Sequence, residues 1–128
     1  PAQECAALAA QRMSEIERRR LVAVLDEGEG CDDPVVYAEV NARFHDIIKT
    51  GARNAMLAAT LEDMNLRTLS WRAANFHEDS GRLAASKAEH RAIAEAILAH
   101  DAETTRRQMR SHVAAAFMAL SDTLSRRG

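Results

Sequence analysis

The sequence predicts an all-α protein, an antiparallel helical bundle, on two main observations. Alanine, the strongest helix former, is the commonest residue, whereas there are only five glycines, two prolines and few aromatic residues, which make up 4% of the chain. Helix-breaking residues cluster in only three places, at 28–34, 50–54 and 77–86. A chain of 128 residues is the size of one domain and buries about two-thirds of its surface on folding.

The first two helices follow from apolar spacing and from the breakers. Apolar residues recur near the helical period through residues 2–27, which predicts one long helix with a solvated face at 15–20. A second helix opens at Pro34, a residue favoured in the first turn, and stops at Gly51. Its predicted core stripe comprises Val36, Tyr37, Val40, Phe44, Ile47 and Ile48.

Three further helices are predicted from their N-caps. Asn54 begins the third, which runs to about residue 76. The pair Ser86 and Glu89 has the spacing of a capping box and predicts a fourth helix over 87–99, and Asp101 caps a fifth that reaches the C-terminus. The predicted core of the fifth helix comprises Met109, Val113, Phe117, Leu120 and Leu124, and the remaining methionines of the third and fifth helices, Met56, Met64 and Met118, are also expected to fill the core.

Charge and composition argue against several function classes. The net charge of −2 is unfavourable for binding nucleic acid through its phosphates. Cys5 and Cys31 form neither a disulfide framework nor a C-x-x-C metal motif, so we expect a reducing, cytoplasmic setting. No apolar run approaches the roughly 18 residues of a membrane span. The sequence also lacks a nucleophile motif and a phosphate-binding glycine loop, so we expect no enzyme activity.

The five histidines divide into two groups. His77 lies in a polar stretch and His100 beside a helix cap, so both are expected at the surface. The other three, His45, His90 and His112, lie on or beside the apolar faces of three different helices. A backbone carbonyl could satisfy any one of them, but a single divalent cation where the helices meet would satisfy all three. Asn41, one turn before His45, projects from the same helix face.

These histidines belong to a series of short motifs with a family resemblance. The series comprises N-x-x-F-H at 41–45, A-R-N at 52–54, S-x-x-E-H-x-x-I-x-x-A-I at 86–97, D-A-E at 101–103 and M-R-S-H at 109–112. In this order and spacing it resembles the FCD domain, the C-terminal effector-binding domain of one branch of the GntR-family bacterial transcription regulators. The resemblance covers nearly the whole chain.

The resemblance implies a helical bundle that holds a divalent metal, commonly zinc or nickel, in a central cavity where small organic acids bind. In the family the ligands are an Asp in D-x-x-x-H and two further histidines. His45, His90 and His112 match the three histidines, whereas Asn41 stands in place of the Asp and lowers the ligand charge by one. Arg67 and Arg72 are candidates for contacting an effector carboxylate, although a solvated helix face explains them equally well.

The resemblance further implies that residues 1–128 form the ligand-binding and dimerisation domain of a regulator. We expect a homodimer that binds a small carboxylate effector, does not bind a membrane, and reaches DNA only through a winged-helix domain that would precede Pro1. Two alternatives remain open at this stage. One is a helical-bundle hydrolase that uses the same metal, and the other is a metal-free module that binds a ligand or a partner.

Overall fold

The computed structural model describes residues 2–61, 74–77 and 80–127, and all regular structure in these ranges is helical. The predicted fold class is therefore confirmed. Shorter helical stretches cover residues 55–61 and 74–77. The longer helices are α1 (Ala2–Arg12), α2 (Glu15–Glu29), α3 (Pro34–Gly51), α4 (Ser80–Leu98) and α5 (Ala102–Arg127). None of the described helices is both long and apolar enough to cross a membrane.

Helix α1 lies against α3, α4 and α5, while α2 packs on α3 and α4. Small side chains on α1, among them Ala6, Ala9 and Ala10, are completely buried and let the neighbouring helices approach closely. The larger core side chains interlock around them and come from four helices: Leu21, Phe44, Ile48, Ile93, Ile97 and Met109. This packing brings one face each of α3, α4 and α5 to the centre of the bundle.

The prediction of a single first helix over 2–27 is wrong, because the chain breaks between Arg12 and Glu15. Ser14 has an extended backbone, with φ −73° and ψ 166°, and its side chain accepts a hydrogen bond from the Glu17 amide. The Glu17 carboxylate accepts in turn from the Ser14 amide at 2.9 Å. This reciprocal capping box satisfies the free amides of a new helix and so starts α2.

Arg18 is buried, although it lies in the stretch predicted to be solvated. Its guanidinium donates hydrogen bonds to the carbonyls of Ala10 and Met13, at the end of α1, and to that of Ile97, near the end of α4. The last carbonyls of a helix have no partner within the helix and carry partial negative charge. One buried cation therefore satisfies carbonyls at the ends of two helices.

The predicted starts of three other helices are confirmed. Asp33 caps α3 by accepting from the Val35 and Val36 amides, with Pro34 in the first turn. Asn54 accepts from an amide of the stretch 55–61 at 3.1 Å, and Asp101 accepts from an amide of α5 at 3.0 Å. Within the α3 stripe, Ile47 is only half-buried and Val36 is exposed, because Val36 lies in the capped first turn at the edge of the bundle.

The predicted start of the fourth helix is wrong. Helix α4 begins at Ser80, so Ser86 lies inside the helix and caps nothing. The hydroxyl of Ser86 instead accepts a hydrogen bond from the Tyr37 phenol at 2.8 Å. The residues between Gly81 and Ser86 include leucine and alanine, which favour helix and allow α4 to extend through the predicted breaker.

Several residues predicted for the core are exposed. On α5, Met109 is buried and Leu120 is half-buried, but Val113, Phe117 and Leu124 are exposed. Met56 and Met118 are also exposed, at 81% and 66%. Met64 lies outside the described residues. The apolar period of α5 therefore continues beyond the part of the helix that packs in the core.

We expect Arg18→Ala to destabilise the protein, because it removes the hydrogen bonds to three buried carbonyls at helix ends. The expected loss in free energy of unfolding is about 3 kcal/mol, typical of removing hydrogen bonds from a charged donor. Urea unfolding measures it. Arg19→Ala is the matched control, since Arg19 is exposed on the same helix and should change stability by less than about 0.5 kcal/mol. Equal effects of the two substitutions would contradict this role of Arg18.

Candidate metal centre and ligand cavity

Three helices each bring one histidine to the centre of the bundle. His45 lies on α3, His90 on α4 and His112 on α5, and one ring nitrogen of each lies within 4.8 Å of the others. His90 and His112 are buried and His45 is half-buried. The Nε2 atoms of His45 and His112 are 3.3 Å apart. The predicted convergence of these three histidines is confirmed.

The spacing of these nitrogens fits a metal ion. Two nitrogens each 2.0–2.1 Å from one ion, at an angle of ~105°, would be separated by about 3.3 Å, close to tetrahedral geometry. The observed distance between His45 Nε2 and His112 Nε2 matches this value. Nε2 of His90 is buried and has no hydrogen-bond partner. A buried nitrogen without a partner costs free energy, which a cation at this point would offset.

The ring of His112 is oriented by a carboxylate. Its Nδ1 lies 2.6 Å from Oε1 of Glu89, and the guanidinium of Arg82 donates two hydrogen bonds, of 2.6 and 3.1 Å, to the same carboxylate. An imidazole that donates from Nδ1 to a carboxylate presents the lone pair of Nε2 on its other side. This arrangement recurs behind metal-bound histidines, where it fixes the ring and makes it more basic.

The ring of His90 is held by aromatic and hydroxyl groups. Phe44 stacks on it with 4.2 Å between ring centroids. The Tyr37 hydroxyl donates to Ser86 and lies 3.5 Å from Nδ1 of His90. Because the phenolic proton is directed to Ser86, the Tyr37 oxygen is free to accept from Nδ1 of His90. That tautomer leaves Nε2 of His90 as the acceptor on the inner side.

The electrostatics of the cluster favour the protonation states that a metal site needs. Burial raises the pKa of Glu89, but hydrogen bonds from His112 and Arg82 outweigh it and lower this pKa to about 2. Burial, followed by the nearby His45 and His112, lowers the pKa of His90 well below its usual range. Near neutral pH Glu89 is therefore charged and His90 is neutral, which is the form of imidazole that binds a metal.

A cavity of about 210 Å³ lies beside the cluster. Asn41, which is 5% exposed, and the rings of His45 and His112 form part of its wall. Arg82 and Asn75 add further polar groups to the lining. The rest of the wall is mainly apolar and comes from α1, α3, α5 and the stretches 55–61 and 74–77. The cavity places open space next to the candidate metal ligands.

The other predicted site residues are placed as follows. His77 and His100 are exposed, as expected from the sequence. Asp46, next to His45 in sequence, is exposed and pairs with Lys49 at 2.8 Å, so it remains a surface carboxylate. Arg67 and Arg72 lie outside the described residues.

The sequence interpretation missed the residues that orient the histidines. Glu89 was assigned to a capping box, and Arg82 was not considered. The available signal was the spacing of Arg82, Ser86, Glu89 and Ile93, which recur at four, three and four residues and so share one face of a continuous α4. Three polar residues in line with a buried isoleucine indicate a buried polar network.

We expect the metal-free protein to lose stability as the pH falls below about 6.5. The unfolded chain protonates His90 near that pH, whereas the lowered pKa keeps His90 neutral in the folded state. Unfolding therefore takes up a proton, and stability falls by up to about 1.4 kcal/mol per pH unit. Urea unfolding in the presence of a chelator, at pH 7.5, 6.5 and 5.5, measures the slope.

The contribution of His90 is isolated by substitution. His90→Gln should reduce the slope between pH 6.5 and 5.5, whereas the exposed control His77→Gln should leave it unchanged. An unchanged slope in His90→Gln would contradict a neutral His90. The lowered pKa of Glu89 acts in a separate range, because its stabilisation is present above about pH 4.5 and is lost as the pH falls towards 2.

The family of the chain follows from comparison with known proteins. The model of the FCD domain matches residues 2–115, which include all three clustered histidines and the residues that orient them. No curated protein matches the chain. The match spans most of the chain and agrees with the all-helical fold and with the motifs of the sequence. The chain therefore belongs to the FCD domain family.

Proposed function

We propose that this chain is the effector-sensing domain of a GntR-type transcription regulator, and that it binds a small carboxylate beside a divalent cation. The observation that carries the proposal is the convergence of His45, His90 and His112 next to a cavity. Each of the two buried rings has an orienting partner on its outer side, Glu89 for His112 and Tyr37 for His90. Such partners are typical of metal-binding histidines.

The donor set fits a borderline transition metal. Imidazole nitrogens suit zinc and nickel, whereas calcium and magnesium prefer oxygen ligands. Asn41 offers an amide oxygen as a further, neutral ligand from the same helix as His45. When bound, the cation would supply positive charge and open coordination positions for a carboxylate. The chain itself orients the rings of His90 and His112, buries both and keeps His90 neutral.

The positions of the three histidines on different helices support a role in sensing. Because the three histidines belong to α3, α4 and α5, a ligand at the cluster favours those relative helix positions in which the nitrogens remain close. In a homodimer, such a shift would alter the spacing of attached DNA-binding domains and so couple the two sites. The net charge of −2 fits a chain that leaves operator recognition to a separate winged-helix domain.

The main alternative, a metal-dependent hydrolase, needs a general base near the cation. Among the residues that the structure describes, Glu89 is the carboxylate that contacts the cluster, but it is held by Arg82 and His112, and its pKa of about 2 makes it a weak base. Glu89 is well suited to orient His112 and poorly suited to accept a proton from water. This observation favours the sensor over the hydrolase.

We expect the purified protein to contain about one zinc or nickel ion per chain, and we expect chelation to lower its melting temperature. A metal that binds only the folded state adds ~2.7 kcal/mol of stability at a free concentration one hundred times its Kd. Elemental analysis and thermal unfolding with and without a strong chelator measure both. His90→Ala should abolish the chelator effect, while the exposed His77→Ala should preserve it.

Two results would contradict this metal site. One is protein without an affinity tag that contains no transition metal, gains no stability when zinc or nickel is added and melts at the same temperature with and without chelator. The other is a chelator effect that His90→Ala and His77→Ala reduce equally.

We expect Asn41→Asp to bind zinc more tightly than the unmodified chain. The substitution adds a negative oxygen at a position that lines the cavity beside His45. The expected gain is about 1 to 3 kcal/mol, comparable with an interaction that involves a charged group. Zinc titration against a competing chelator measures it.

Asn54→Asp is the matched control for this charge. It adds the same charge at a helix cap, where Asp and Asn serve equally well, and should leave zinc affinity unchanged. Equal zinc affinities for Asn41→Asp and the unmodified chain would show that residue 41 does not contact the ion.

A further inference from the structure

Asn75 places a second amide in the wall of the cavity, in addition to Asn41. It lies in the short stretch 74–77 and is only 5% exposed. A polar side chain buried to this extent needs hydrogen-bond partners, because its transfer out of water is otherwise costly. The partners of Asn75 therefore indicate what its amide does.

The carbonyl oxygen of the Asn75 amide already has a partner. Thr123 on α5, which is 2% exposed, donates its hydroxyl proton to Oδ1 of Asn75 at 2.5 Å. Arg126, one turn further along α5, makes a longer hydrogen bond of 3.4 Å to the same hydroxyl oxygen. Because the Thr123 oxygen accepts from Arg126, its own proton is directed to Asn75. Arg126, Thr123 and Asn75 thus form a chain in which each group donates to the next.

The amide nitrogen of Asn75 still has protons to donate. An Asn side chain carries one acceptor oxygen and two N–H donors, and no described residue accepts a hydrogen bond from Nδ2 of Asn75. Since Oδ1 is directed to Thr123, which does not line the cavity, Nδ2 is the part of the amide that faces the cavity. A hydrogen bond to Oδ1 also polarises the amide and strengthens its N–H donors.

Contacts on two sides fix the stretch that carries Asn75. The next residue, Phe76, is buried, and its ring meets that of Tyr37 on α3 edge-on, with 4.9 Å between the centroids. On the other side Thr123 ties Asn75 to α5. The fold therefore sets the position of this amide before any ligand binds. A donor fixed in advance loses less conformational freedom on binding than a mobile one.

The residues that hold Asn75 lie beyond the span matched by the family model. That match ends at residue 115, whereas Thr123 and Arg126 lie in the last turns of α5. The three clustered histidines all lie within the match. The family match therefore does not account for the hydrogen-bond chain that ends at Asn75.

We propose that Asn75 is a specificity-determining residue, which donates a hydrogen bond from Nδ2 to an acceptor oxygen of the ligand, and that Thr123 is its positioning residue. The proposal rests on the proposed function and adds a second point of recognition to it. The ligand carries a carbonyl, hydroxyl or ether oxygen besides the group that meets the cation. A ligand without this oxygen leaves the buried donors of Asn75 without a partner, which costs affinity.

Calorimetry on the zinc-loaded protein tests the proposal with acids that differ by one oxygen. The probes are butanoate, pentanoate and hexanoate and their oxo derivatives, with the ketone at each chemically stable position. A ketone oxygen accepts hydrogen bonds and cannot donate them. For at least one position the oxo acid should bind about tenfold more tightly than its parent acid. The proposal fails if no position of the ketone raises the affinity.

Asn75→Asp replaces the donor by an acceptor of the same shape. The Thr123 hydroxyl keeps its acceptor, but the atom that replaces Nδ2 repels a ketone oxygen. The tenfold preference for the oxo acid should therefore disappear, while zinc affinity, measured against a competing chelator, should not fall. Asn54→Asp adds the same charge at a helix cap and should keep the preference.

Asn75→Ala, which also removes the donor, gives a second test that does not bury a charge, and circular dichroism checks that each variant is folded. A folded Asn75 variant that keeps the full preference for the oxo acid would overturn the proposal. This control also excludes chelation of the cation by 2-oxo acids as the source of the preference, because chelation does not depend on Asn75.

Two substitutions at position 123 test the positioning role. Thr123→Val keeps the shape but removes the hydroxyl, so the amide can turn Oδ1 into the cavity, and the preference for the oxo acid should fall by about threefold. Thr123→Ser retains the hydroxyl and should retain the preference. Equal preferences in these two variants would contradict the role of Thr123.

The failure of this inference can be told apart from the failure of the proposed function. A chain that binds neither zinc nor any of the acids contradicts the proposed function and, with it, this inference. Zinc-dependent acid binding that does not depend on Asn75 supports the proposed function and overturns this inference alone.

Discussion

The carboxylate of Glu89 holds together the centre of this bundle. It accepts hydrogen bonds from Arg82 on its own helix and from His112 on α5. Inside a protein a shared charge of this kind is strong because little water screens it, and each partner would be costly to bury without it. The ring of His112 faces His45 because Glu89 holds its other side. The orientation of His112, and with it the shape of the histidine cluster, therefore depends on one carboxylate.

The sequence predicted what local chemistry and helical period determine. The helical class, the caps at Asn54 and Asp101 and the extent of α3 depend on neighbouring residues and are confirmed. The meeting of His45, His90 and His112 followed from their positions on apolar faces together with the family motifs, and the structure confirms it.

The same pattern of serine and glutamate three residues apart had two different outcomes. Ser14 and Glu17 form a capping box and start a helix, although the sequence interpretation ran one helix through them. Ser86 and Glu89 lie inside α4 and form hydrogen bonds to Tyr37 and His112, which are 49 and 23 residues away in the sequence. Local sequence cannot decide between these outcomes, because distant partners compete for the same side chains. The exposed apolar residues of α5 were mispredicted for a related reason, since a periodic stripe does not reveal what covers it.

Hydrogen bonds from Arg18 link the end of α1 to the end of α4. Its planar guanidinium binds carbonyls on both helices, and the fixed directions of its donors resist any sliding of one end past the other. His90 lies on α4 about 10 Å, or two turns, before Ile97. A displacement of α4 relative to α1 would therefore have to break these hydrogen bonds or carry the end of α1 with it. The end of the first helix is in this way tied to the helix that carries His90, although α1 contributes no histidine to the cluster.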